Sequence, residues 1–202
     1  MAGPGVDLYW IPLGAGARVV RTSGRIYERL VALAARRPRR DLYHSALVVT
    51  TADGRVMIEV APQPDGRGRR DRGVVAEGVV GSRWLGRLRA FRYEVRRWRN
   101  GEIPDLRYAV ASPVRITDDP ERIRAVLELV ELVPTPVWGR DELRLGEMWN
   151  SNSVVSWVLT NADVVDVAGA PPANGRAPGW QAGVAAAGRS CVAKGSLEAS
   201  VP

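Results

Sequence analysis

The stretch EMWNSNSVVSWVLT, residues 147–160, sets Asn150, Ser151, Asn152 and Ser153 in front of an apolar run at helical spacing. Val154, Trp157 and Val158 would anchor a helix to a core, which leaves Ser151 at the N-cap or in the first turn. Capping alone accounts for the pattern, because Ser and Asn are preferred caps and each stabilises a helix by about 1 kcal/mol. The same geometry also suits chemistry. A helix start presents unpaired N–H groups and a partial positive charge, and such donors stabilise an oxyanion forming beside them. A serine hydroxyl needs a base within hydrogen-bond reach, and the chain contains one histidine, His44. Such a pair would attack the carbonyl of an amide or ester. Ser153 is the alternative nucleophile. It lies about 200° around the helix from Ser151, so the two cannot face His44 equally.

His44 opens the apolar run YHSALVVT, which is followed by TADG and then RVMIEVAP. Asp-Gly between two β-rich runs signals a hairpin. A turn centred on Asp53-Gly54 would set His44 opposite Gln63, with Glu59 on the same face about 13 Å along the strand. Either side chain could orient the imidazole, although Pro62 and Pro64 tend to end the ladder early. A solvated strand carboxylate accounts for Glu59 equally well.

The elements that would position these residues follow from periodicity. VDLYWIPL (6–13) reads as a strand. Residues 22–37 read as a helix with Ile26, Leu30, Leu33 and Ala34 on one face, capped by Ser23 and stopped by Pro38. Residues 62–73 form a basic loop, 73–81 a short strand, 89–98 a clearer strand, and 107–116 a further strand ended by Pro113. Asp119 and Pro120 begin a helix whose stripe is Ile123, Val126, Leu127 and Val130. Beyond residue 166 the chain is rich in Gly, Ala and Pro, and its last dozen residues read as disordered. The expectation is one α+β domain over 1–165 and a C-terminal extension over 166–202.

Composition narrows the classes. A chain of 202 residues with 46% hydrophobic and 25% charged residues is ordinary for a globular domain. No membrane span or secretory leader is evident, which predicts a cytoplasmic protein. One cysteine, Cys191, and one histidine leave no disulfide and no zinc-type ligand set, so neither metal nor cofactor is expected. The net charge of +7 and a pI near 10.4 raise nucleic-acid binding. That reading is the weaker one. Lys194 is the only lysine among the 29 basic residues, and two of the three arginine clusters lie in Gly/Pro/Asp-rich loops without interleaved aromatics for base stacking.

Tyr43-His44-Ser45 followed downstream by Asn150-Ser151-Asn152-Ser153 resembles the permuted papain-like fold, and the PPPDE family of isopeptidase-like proteins in particular. A more distant similarity extends to the lecithin:retinol acyltransferase and permuted NlpC/P60 groups. The resemblance covers about residues 6–162 and implies an antiparallel sheet packed with a few helices. It also implies a histidine at a strand start and a nucleophile at the start of a later helix. Those families carry cysteine where this chain has Ser151. A thiol ionises near pH 8.5, whereas a serine hydroxyl must pass its proton to His44 during attack. The site is therefore a serine hydrolase or acyltransferase, a binding module that has lost catalysis, or a site whose cysteine has been replaced. The implied substrate is a peptide, a protein or an acyl lipid. Tyr43, Trp149, Asn152, Arg176 and Trp180 are the candidate substrate contacts, with Arg176 and Trp180 of GRAPGW either lining the groove or stacking on each other. Longer stretches around 72–105 and GRAPGWQAG resemble uncharacterised bacterial proteins, which adds no function.

Overall fold

The computed structural model describes residues 3–15, 28, 32, 33, 36–62, 73–164 and 170–198, the side chains of 190–198 excepted. Seven strands form one sheet: β1 (Gly5–Pro12), β2 (Asp41–Thr51), β3 (Gly54–Pro62), β4 (Val74–Val79), β5 (Arg92–Arg99), β6 (Val114–Thr117) and β7 (Gly175–Arg176). Six run antiparallel in the order β4-β5-β3-β2-β1-β6, and β7 adds a short parallel pairing at the start of β2. Three helices are bounded among the described residues: α1 (Pro120–Leu129), α2 (Ser151–Asn161) and α3 (Trp180–Glu198). The architecture is α+β.

Strand alternation sends β2 side chains to two covered faces. Leu47 and Val49 join Leu8, Ile58, Val95, Val155 and Val158 in the larger core, under the helices. Ala46 and Val48 join Ile11, Met57 and Ile103 in a smaller core on the opposite face. Two-sided burial is why β2 reads as an almost unbroken apolar run.

The hairpin forms where expected but in a different register. Thr51 pairs with Gly54, so Ala52 and Asp53 make the turn, and Gly54 supplies the positive φ of 120°. Continued to residue 44, this register would oppose His44 to Ala61 instead of Gln63, but the β2–β3 ladder ends at Leu47 and Ile58.

The strand expected over 107–116 divides. Pro104–Tyr108 is a 3-10 turn, and pairing starts only at Val114. Pro113 precedes the strand instead of ending it, consistent with its missing N–H at the margin of an edge strand. Of the helix expected over 22–37, Glu28, Ala32 and Leu33 are described and helical, Arg36 and Arg37 are described and form a turn and a bend beyond its end, and the rest lies outside the described residues. Its buried side runs through Glu28 and Ala32, while Leu33 is 75% exposed. Glu28 accepts from Arg37 at 2.6 Å and from the Arg40 N–H at 2.9 Å, which is why a carboxylate occupies the covered side. Most of the basic loop, 63–72, also lies outside the described residues.

The C-terminal region differs most from expectation. In the extension whose last dozen residues read as disordered, residues 180–198 are helical, and Trp180, Ala182, Ala186 and Ala187 are buried. α3 lies close against α2 because Gly183 has no side chain: a Cβ there would collide with Ser156 Oγ and the Ser153 carbonyl. Gly188, on the same helix, faces open space. Gly183→Ala is expected to destabilise the fold by roughly 1–3 kcal/mol through overpacking. Gly188→Ala should instead stabilise it by roughly 0.5–1 kcal/mol through helix propensity. Urea unfolding of the two variants checks the contrast.

Candidate active site

α2 begins with a complete capping box. The Asn150 side chain accepts from the Asn152 and Ser153 N–H groups, and Ser153 Oγ accepts from the Asn150 N–H at 3.0 Å. Ser153 Oγ also donates to the Gly179 carbonyl at 2.7 Å. Ser153 is therefore a cap and a tie to α3, and its hydroxyl proton is committed. Asn150 donates in turn to the Pro178 carbonyl at 2.8 Å. These bonds also correct the oxyanion expectation. The side chain of Asn150 occupies two of the first-turn amides, and among the described residues only the Ser151 N–H stays open there.

Asn152 joins this helix start to the sheet. Its Oδ1 accepts from Ser45 Oγ at 2.9 Å, and its Nδ2 donates to the carbonyls of Tyr43 and Pro178, each at 2.9 Å. Ser45 and Asn152 are both buried, so these bonds form away from competing water. The two motifs singled out in the sequence, 107 residues apart, are thereby clipped together. His44 and Ser151 are each the chain neighbour of a clipped residue.

The clip does not make a hydrogen bond between His44 and Ser151. Ser151 is 4% exposed, and its hydroxyl has no partner among the described residues. Ser45 faces α2, so alternation turns His44 to the opposite face, beside its register partner Ile11. Burial lowers the His44 pKa to about 4 against the opposing influence of Asp105. The imidazole is thus neutral at pH 7 and able to accept a proton.

Asp105 is the carboxylate that sequence reading missed. It lies on the Pro104–Tyr108 turn, whose neighbours Ile103 and Leu106 pack into the smaller core over the His44 face. The available signal was Pro104 followed by an acidic residue, a helical-turn start between the strands expected over 89–98 and 107–116. Glu59 is engaged elsewhere: Arg96 donates to it at 3.1 Å. Burial raises the Glu59 pKa against the opposing effect of Arg96, and Asp105 adds to the rise. Gln63 lies outside the described residues.

The expected substrate contacts are mostly interior. Trp149 is buried in the larger core, and the Tyr43 ring packs over Gly175. Trp180 packs on Trp10 with ring centroids 5.1 Å apart. Arg176 reaches Glu28 at 3.5 Å and does not stack on Trp180. Among the described residues no cluster of His, Cys, Asp or Glu could hold a metal ion, and no helix is long and apolar enough to cross a membrane.

Compared with protein-family models, curated proteins and solved structures, the chain has no match.

Proposed function

We propose that the protein is an amide or ester hydrolase, or an acyltransferase, with Ser151 as nucleophile and His44 as base on a frame like the permuted papain-like fold. The observation that carries this reading is the Asn152 clip, which brings the only histidine's strand to the helix start bearing Ser151. Ser151 Oγ would attack the substrate carbonyl while neutral His44 takes its proton. The open Ser151 N–H would receive the developing oxyanion. His44 would then protonate the leaving group, and water or a second acceptor would release the acyl group from Ser151. Because His44 stands on the face of β2 opposite to α2, this mechanism requires the start of β2 to turn the imidazole toward Ser151 when substrate binds. The substrate class is a peptide, a protein or an acyl lipid, met in the cytoplasm.

A second reading, a non-catalytic module binding a peptide or acyl chain, is favoured by one observation. Ser151 is buried with no bond to His44. Fluorophosphonate labelling followed by mass spectrometry separates the two. The catalytic reading expects modification at Ser151 in the wild type and its loss, at least about a hundredfold, in both Ser151→Ala and His44→Ala. Ser151→Cys gives an arm that does not depend on the probe filling the groove. Its thiol should alkylate with iodoacetamide faster than a free cysteine at pH 7, and His44→Ala should slow it. Absence of labelling together with a sluggish thiol would establish the binding module.

A further inference from the structure

Residues 83–90, RWLGRLRA, carry three arginines, one tryptophan, two leucines and no acid. They fold as two consecutive 3-10 turns, Arg83–Arg87 and Arg89–Phe91. Three backbone bonds fix the turns: Leu85 N–H to Ser82, Leu88 N–H to Leu85 and Phe91 N–H to Leu88. A side-chain bond from Arg92 Nε to the Gly86 carbonyl at 2.8 Å holds them to β5. Gly86 sits directly on β4, since a Cβ there would collide with Val79. The segment is a held platform.

This platform presents apolar side chains to solvent. Trp84 is 83% exposed and Leu88 56% exposed, although both would gain by leaving water. Arg83, Arg87 and Arg89 are exposed among them. Glu142 neutralises Arg83 at 2.5 Å, and Glu77 lies 3.7 Å from Arg92. Arg87 and Arg89 have no acidic partner among the described residues. Beside them opens a pocket of about 370 Å³ whose lining includes Arg83, Arg87, Arg92 and Glu77.

We propose that residues 83–90 dock the protein on an anionic phospholipid bilayer. Trp84 and Leu88 enter the boundary between headgroups and acyl chains. Arg87 and Arg89 meet the negative surface, and the arginine-lined pocket receives a lipid phosphate. An indole at the interface beside a leucine and flanking cations is the side-chain set such a boundary takes. Single-stranded nucleic acid fits less well, because Leu88 offers no face for base stacking. The inference is independent of Ser151 and His44.

Flotation with vesicles tests it, using phosphatidylcholine alone and an equal mixture with phosphatidylglycerol. The wild type should bind the mixed vesicles, weaken as salt rises, and ignore phosphatidylcholine alone. Arg87→Ala/Arg89→Ala should lower the partition coefficient about twenty-fivefold, at about fivefold per arginine. Trp84→Ala/Leu88→Ala should lower it at least about tenfold. Both pairs are exposed, and unchanged circular dichroism confirms their folding. The proposal is overturned by no vesicle binding, by binding that both double variants retain, or by platform-dependent binding of a single-stranded oligonucleotide without vesicle binding.

Discussion

Arg96→Met is expected to lower the free energy of unfolding at pH 7 by about 3–5 kcal/mol, the range for breaking a buried ion pair from one side. The reason lies on the smaller-core face of β5. Arg96 Nε donates to Glu94 at 3.0 Å, and its Nη1 donates to Glu59 at 3.1 Å. Glu94 is fully buried and Arg96 is 8% exposed. Methionine keeps an unbranched stem of the length that reaches Nε but leaves Glu94 and Glu59 in a low-dielectric region without that guanidinium. Urea unfolding at several pH values adds a sign. The Glu59 pKa is already raised by burial, and removing Arg96 takes away the influence that lowers it. An acid with a raised native pKa costs stability as it ionises. The deficit of the variant relative to wild type should therefore be largest at neutral pH and shrink as pH falls. A deficit that is equal at all pH values would show that the lost interaction is packing and not charge.

A second large effect is expected from acid, and it isolates one group. His44 titrates near 4 in the native protein against 6.5 for an ordinary imidazole. As pH falls through 6.5 the unfolded chain binds the proton first, so stability should drop between about pH 6.5 and 4 and level off below that. The full difference corresponds to about 3 kcal/mol, and partial exposure of the ring trims this to about 2. Relative to wild type, His44→Gln should lack this part of the acid loss. Because the chain has one histidine, a proton NMR titration reports His44 without assignment ambiguity. Asp105→Asn should move that titration lower still, since Asp105 favours the charged ring. Glu59→Gln should move it far less. An unchanged titration in Asp105→Asn would remove Asp105 as the partner of His44.

What could be read from the sequence depended on how local the determining physics was. The β2–β3 hairpin, the Asp119-Pro120 helix start and the Asn150–Ser153 helix start were legible because each is set by residues within one turn or one pair of strands. The hairpin register was not, because Asp-Gly fits more than one turn placement and the chosen one shifts the pairing partner of His44. α3 escaped detection for a different reason. Its inner face is Gly and Ala against Ser153 and Ser156, so it makes no apolar stripe and contains glycines that disfavour helices. Its stability comes from close approach, which appears only once α2 is in place. Asn152 was read as a cap neighbour and a substrate contact. Its three partners, Tyr43, Ser45 and Pro178, come from two distant parts of the chain, and no spacing rule connects them.

The partners supplied by Pro178 and Gly179 have a consequence for synthesis. Asn150, Asn152 and Ser153 each hydrogen-bond to one of those two carbonyls. Domains form from the N-terminus as the chain emerges, so a nascent chain that has reached α2 still lacks three bonds at the start of that helix. Strands β1 to β6 and α1 are able to assemble first. The Ser151 region is completed only when the segment leading into α3 has been made and has docked, a long-range closure of the kind that slows folding. The geometry around Ser151 is in this sense a late product of translation, withheld from the shorter chains that precede it.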